Sequence, residues 1–117
     1  IVLKNGKNIF PEELEILINS LPYVSESIVY GKPDPKDDDL TICAKIVYSP
    51  EAMQEAYPDE KAENYHDFIW KDVKEKINKS MPAYKYIREI IVTDEPLIKT
   101  TTQKVKRHEE IKKILGD

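Results

Sequence analysis

The stretch PLIKTTTQKVKRHEE, residues 96–110, gathers three threonine hydroxyls and the cations Lys104, Lys106 and Arg107 at the expected start of a helix. Hydroxyls, backbone N–H groups near a helix start and a lysine acting as a point charge are groups that can hold a phosphate. A solvated basic turn uses the same residues, so this pattern leaves both readings open. Lys106 has Glu110 at i+4, a surface pair, and Arg107 can face solvent in the same way. Lys104 has His108 at that spacing, and a helix N-terminus favours negative charge. The cation is therefore out of place for a helix, behind a run of threonines that reads as a mobile lead-in.

Other chemistries find little support. Cys43 lies within a strand pattern, where apolar neighbours raise a thiol's pKa and silence it. A lone cysteine also excludes an internal disulfide and argues against a cysteine zinc site. The acidic run at 37–39 reads as a solvated turn, and no EF-hand loop surrounds it. His66 and His108 fall on helices without metal-ligand spacing. With three glycines, none placed in GxxxxGK, there is no Walker loop. No metal ligand is assigned.

These residues need a scaffold. The 117 residues suit one compact domain. A net charge of -4 argues against a general nucleic-acid binder. No apolar run reaches the roughly 20 residues of a membrane span. The chain opens on Ile1 without Met or signal-peptide layout, and reads as a piece of a longer polypeptide from a reducing cytoplasm.

Asn5-Gly6 between two β-prone runs predicts a hairpin with a type I′ turn. Pro11, Glu12 and Glu13 open a helix whose stripe is Leu14, Leu17, Ile18 and Leu21. Residues 25–30 pair with 40–48, where Leu40, Ile42, Ala44, Ile46 and Tyr48 alternate with Thr41, Cys43, Lys45 and Val47, the pattern of a half-buried strand. Residues 49–64 read as a polar surface insertion with a short helical piece. A helix is expected over 62–79, with Tyr65, Phe68, Ile69, Val73 and Ile77 inward and Met81-Pro82 as its stop. A third strand at 86–94 and a helix at 105–115, with Val105, His108, Ile111 and Leu115 on one face and Gly116 closing it, complete the order. The fold class is α+β: a hairpin and a small, about three-stranded sheet flanked by helices.

Two separated motifs carry a resemblance. NGKNIFPEELE, residues 5–15, resembles the Gly-x-x-Ile-x-Pro-x-Glu-aliphatic-Glu hairpin motif of the acyl-adenylate-forming superfamily's C-terminal domain, through Gly6, Ile9, Pro11, Glu13, Leu14 and Glu15. KTTTQKVKR, residues 99–107, resembles its Pro-Lys-Thr-x-x-Gly-Lys-Ile-x-Arg motif through Lys99, Thr100, Lys104, Val105 and Arg107. Gln103 stands where that motif has glycine, and Ile98 where it has proline. The resemblance runs over essentially the whole chain.

It implies that residues 1–117 are the mobile C-terminal domain of an AMP-forming acyl-CoA synthetase, most like long-chain fatty-acid–CoA ligases. The N-terminal domain and hinge lie outside the chain. Lys104 is then the catalytic adenylation lysine, and the hairpin residues Asn5, Gly6 and Asn8 line the coenzyme A tunnel. A Cβ at Gly6 would narrow that passage. The implied partners are the enzyme's own N-terminal domain, a fatty acid, ATP and CoA, with Mg²⁺ bound outside this fragment. The setting is cytoplasmic or membrane-peripheral, and the fragment alone is inactive. A nonribosomal-type adenylation domain and a stand-alone, non-catalytic interaction module are the alternatives.

Overall fold

The structure is a computed structural model that describes residues 1–36 and 38–116; Asp37, in the acidic turn, lies outside the described residues. Among the described residues four α-helices, α1 (Pro11–Asn19), α2 (Pro50–Ala56), α3 (Tyr65–Asp72) and α4 (Arg107–Leu115), surround strands β1 (Val24–Asp34), β2 (Asp39–Tyr48) and β3 (Glu89–Thr93). The sheet order is β1-β2-β3. β1 and β2 form the expected antiparallel ribbon, with Val29 opposite Ala44. β3 runs parallel to β2 and therefore needs the long crossover that carries α2 and α3.

The alternation along β2 hides a second buried face. Ile42, Ala44 and Ile46 enter the main core with Ile18, Ile69 and Val73. Val47, opposite them, packs with Ile28 and Leu97 under Val105, Ile111 and Ile114. Residues 42–47 are therefore all buried, a correction to the half-buried expectation. The cause is α4, which covers the side left to solvent by strand periodicity.

Several segments depart from expectation. In α1, Leu14 and Ile18 are buried but Leu17 is exposed, and Glu15 is buried in its place. The segment 62–79 is not one uninterrupted helix: α3 passes into a π-turn at Val73–Ile77. Val73 and Ile77 stay inward, as their i,i+4 spacing requires, and the wider turn brings Asn78, at i+5 from Val73, to the same side. There Asn78 pairs with both the N–H and the carbonyl of Ile87 at 3.0 Å each, like a strand rung. The surface insertion is pinned: Met53 is fully buried, Tyr57 stacks on Phe68 at 4.6 Å, and Tyr57 and Tyr23 both donate to Asp72. No helix among the described residues is long and apolar enough to cross a membrane.

Candidate functional site

Lys104 is not in a helix. α4 begins at Arg107, and residues 98–106 form a β-hairpin bridged at Lys99 and Val105. Its rungs run from Lys106 N–H to Ile98 O at 2.7 Å and from Thr100 N–H to Lys104 O at 2.8 Å. Gln103 N–H closes the turn on Thr100 O at 2.9 Å, with Gln103 itself at φ 66°. The threonines are structured: the Thr100 hydroxyl meets that of Thr102 at 3.0 Å and accepts Lys104 N–H at 3.2 Å. The glycine of the family motif thus marks a left-handed position, which glutamine fills at a cost of roughly 1–2 kcal/mol.

Both ends of this hairpin are clamped by charge. On entry, Glu26 of β1 accepts Leu97 N–H at 3.0 Å and the Lys99 ammonium at 2.6 Å. Glu110 of α4 accepts Ile98 N–H at 3.0 Å and the Lys45 ammonium of β2 at 2.7 Å. Burial alone would raise the Glu110 carboxyl, but Lys45 and the Ile98 amide outweigh it and hold it below the usual range. On exit, Arg107 grips Glu15 through two bonds of 2.7 Å. Glu15 also accepts Val29 N–H at 2.7 Å, so the second motif is tied to the first through β1. Lys106 pairs at the surface with Glu109, 3.8 Å away.

Arg107 as surface charge, Glu110 as the Lys106 partner and His108 on the inward face are corrected by this arrangement. His108 is exposed. The sequence signal for the missed acids was their place on apolar faces: Glu15 sits beside Leu14 and Ile18, and Glu110 beside Ile111 and Ile114. Lys104, at the hairpin tip, is exposed, and its ammonium has no hydrogen bond or ion pair among the described residues.

Residues 1–9 form the other hairpin. Leu3 N–H donates to Lys7 O, Gly6 N–H to Leu3 O, and Ile9 N–H to Ile1 O, at 2.9, 2.9 and 2.7 Å. Gly6 is left-handed at φ 82° while Asn5 is not, so the turn is a three-residue loop with a glycine bulge, not type I′. A Cβ on Gly6 would meet nothing within 4 Å in this chain; backbone conformation is what requires glycine here. Asn5 Oδ1 accepts Lys7 N–H at 3.0 Å, and Asn8 bridges Val2. Asn5 borders a groove of about 500 Å³ with Tyr84, Tyr86 and Arg88. Arg88 lies over Tyr86 at 5.4 Å, and Lys7 over Tyr84 at 5.1 Å.

The two sets of site residues are held apart. The first hairpin rests on Asp39, which accepts Lys4 N–H at 2.9 Å, at the Asp34 end of β1. The second is anchored on entry at Glu26, eight residues toward the other end of that strand. Cys43 is buried, which pushes its thiol up to about 11 and leaves it inert at neutral pH.

A three-stranded α+β domain with two such hairpins defines a class, and comparison with known proteins names it. The chain belongs to the AMP-binding enzyme C-terminal domain family, whose model matches residues 13–104. It is 34% identical over 113 residues to the mitochondrial acyl-coenzyme A synthetase ACSM3 of Homo sapiens, covering 97% of this chain and 17% of that protein. Among solved structures it resembles the anthranilate CoA ligase AuaEII in complex with anthranoyl-AMP, at 29% identity and TM-score 0.66 over 93% of this chain and 18% of that one. The A-PCP didomain of carboxylic acid reductase from Segniliparus rugosus, in complex with AMP, shares the fold at 20% identity and TM-score 0.71, over 99% of this chain and 16% of that one. The chain thus spans about a sixth of the curated relatives it matches.

Proposed function

We propose that these 117 residues are the mobile C-terminal domain of an AMP-forming acyl-CoA synthetase. In the first half-reaction a carboxylate attacks the α-phosphate of ATP, giving acyl-adenylate and pyrophosphate. In the second, the thiol of CoA takes the acyl group and releases AMP. The ATP and acyl pockets, and the Mg²⁺, belong to the N-terminal domain, so the 117 residues alone have no activity. On the likeness of residues 4–15, the carboxylate is a long-chain fatty acid, and the enzyme is cytoplasmic or peripheral to a membrane.

Lys104 carries this reading. An ammonium without a partner among the described residues, at the tip of a hairpin clamped at both ends, is poised for an anion brought by another domain. Negative charge builds where carboxylate oxygen meets the α-phosphate. A cation about 4 Å away at an effective dielectric near 20 contributes on the order of 4 kcal/mol. If realised only in the transition state, that is worth roughly a thousandfold in rate.

The other hairpin serves the second step, with Asn5, Gly6 and Asn8 along the pantetheine path. Tyr84, Tyr86 and Arg88 offer ring faces and a cation beside it, suited to the nucleotide end of CoA. Val2, Phe10 and Ile16, exposed on and just after the first hairpin, suit a docking face for the N-terminal domain. The test is Lys104→Ala in the enzyme containing this chain. ATP–pyrophosphate exchange should collapse while thioester formation from supplied acyl-adenylate persists. Equal loss of both, with the fold intact, would remove the assignment.

A further inference from the structure

We propose that the buried Lys45–Glu110 pair is a positioning device for adenylation, fixing the height and orientation of the hairpin that presents Lys104. This rests on the functional reading above. Glu110 is 0% exposed and Lys45 8%, so both charges have left water. Such a pair is a poor source of stability, since desolvation offsets most of its attraction and an apolar pair of similar volume is often as stable. Its presence calls for another reason, and the two oxygens supply one. Oε1 takes the Lys45 ammonium from the central strand at 2.7 Å, and Oε2 takes Ile98 N–H at 3.0 Å.

Ile98 is the base of the hairpin: its carbonyl accepts Lys106 N–H, and the next rung joins Thr100 N–H to the carbonyl of Lys104 itself. The path from β2 to the catalytic backbone is therefore short: Lys45, Glu110, Ile98 and the ladder. Glu26 acts similarly one residue earlier, on Leu97 N–H and Lys99, but from a partly exposed position. An apolar pair at 45 and 110 would fill the space and leave Ile98 N–H without its acceptor. Neither residue touches substrate; each acts through the hairpin.

The test uses the full-length enzyme with three variants. Lys45→Met/Glu110→Leu should unfold at a higher urea midpoint than Glu110→Gln, because it leaves no buried charge unpaired. Its Ile98 amide should exchange with deuterium about tenfold faster or more. Its kcat for ATP–pyrophosphate exchange should fall about tenfold to hundredfold, as for a small misplacement of a reacting group, with KM for ATP unchanged. Transfer from supplied acyl-adenylate should be retained. Glu110→Gln keeps an acceptor for Ile98 N–H but strands Lys45, so it should be the less stable variant yet the better adenylator. The orders of stability and adenylation are thus opposite, which a merely structural pair would not produce. Adenylation that follows stability across the variants overturns the positioning role, as does wild-type exchange in the double variant. Lys104→Ala is the reference: unchanged pyrophosphate exchange there would overturn the functional reading, and this proposal with it.

Discussion

Gln103 occupies in the second hairpin the place that Gly6 occupies in the first. Each is the left-handed third residue of a three-residue loop, at φ 66° and 82°, and each is followed by a lysine, Lys104 or Lys7. The rungs correspond one for one: Leu3 with Lys7 as Thr100 with Lys104, and Ile1 with Ile9 as Ile98 with Lys106. One backbone device is thus used twice, anchored at Asp39 beside Asp34 in the first hairpin and at Glu26 in the second. Lys7 rests on the Tyr84 ring, while the Lys104 ammonium has no hydrogen bond or ion pair among the described residues.

Glutamine pays for that conformation. Gln103→Gly should relieve a left-handed cost of roughly 1–2 kcal/mol, less about 0.4–1 kcal/mol of added unfolded-state freedom. The expected outcome in urea denaturation is a small gain in stability. Gln103→Val, β-branched at positive φ, should lose more than ~1 kcal/mol and slow adenylation.

The Arg107–Glu15 grip predicts a graded loss. Arg107→Ala leaves a buried carboxylate holding only Val29 N–H. Because Arg107 is partly exposed, the cost should be about 2 kcal/mol, below that of a fully buried pair. Arg107→Lys should recover less than half, since an ammonium cannot reproduce two parallel bonds. Chemical denaturation of the three proteins checks the order.

Alkaline pH should weaken the fold. Burial pushes Cys43 up to about 11, and burial with Cys43 and Glu89 nearby pushes Tyr30 to about 12. Both pKa values are raised by folding, so the stability tied to the neutral forms is whole below the unfolded values, near 8.5 and 10. It is lost as pH rises from there through the folded values. Unfolding free energy should thus fall from about pH 9 upward, by up to ~1.4 kcal/mol per pH unit for each group. Tyr30→Phe should flatten the upper part of this fall; an unchanged slope would contradict the assignment.

Local patterns were legible wherever the cause was local. The α1 opening, the β1–β2 pairing and the Gly116 stop follow from proline, alternation and glycine. The two motifs were legible by resemblance. The second hairpin was not, because its turn lacks an Asn-Gly signal and Gln103 conceals a position that needs positive φ. Nor were its clamps: Arg107 reaches Glu15 across 92 residues and Lys45 reaches Glu110 across 65. Helical spacing rules see only i+3 and i+4, and so assigned Arg107 and Glu110 to the surface.

The central claim is that the two hairpins serve different half-reactions, and the direct measurement is the ratio of adenylation to thioester formation in two variants of the full-length enzyme. For the first hairpin Gly6→Asn is the fitting change, since it adds a side chain while tolerating the left-handed backbone. The account predicts that Lys104→Ala lowers ATP–pyrophosphate exchange by roughly a thousandfold and spares transfer, while Gly6→Asn lowers transfer and spares exchange. The ratio should therefore move in opposite directions. A ratio that shifts the same way in both, or in neither, would contradict it.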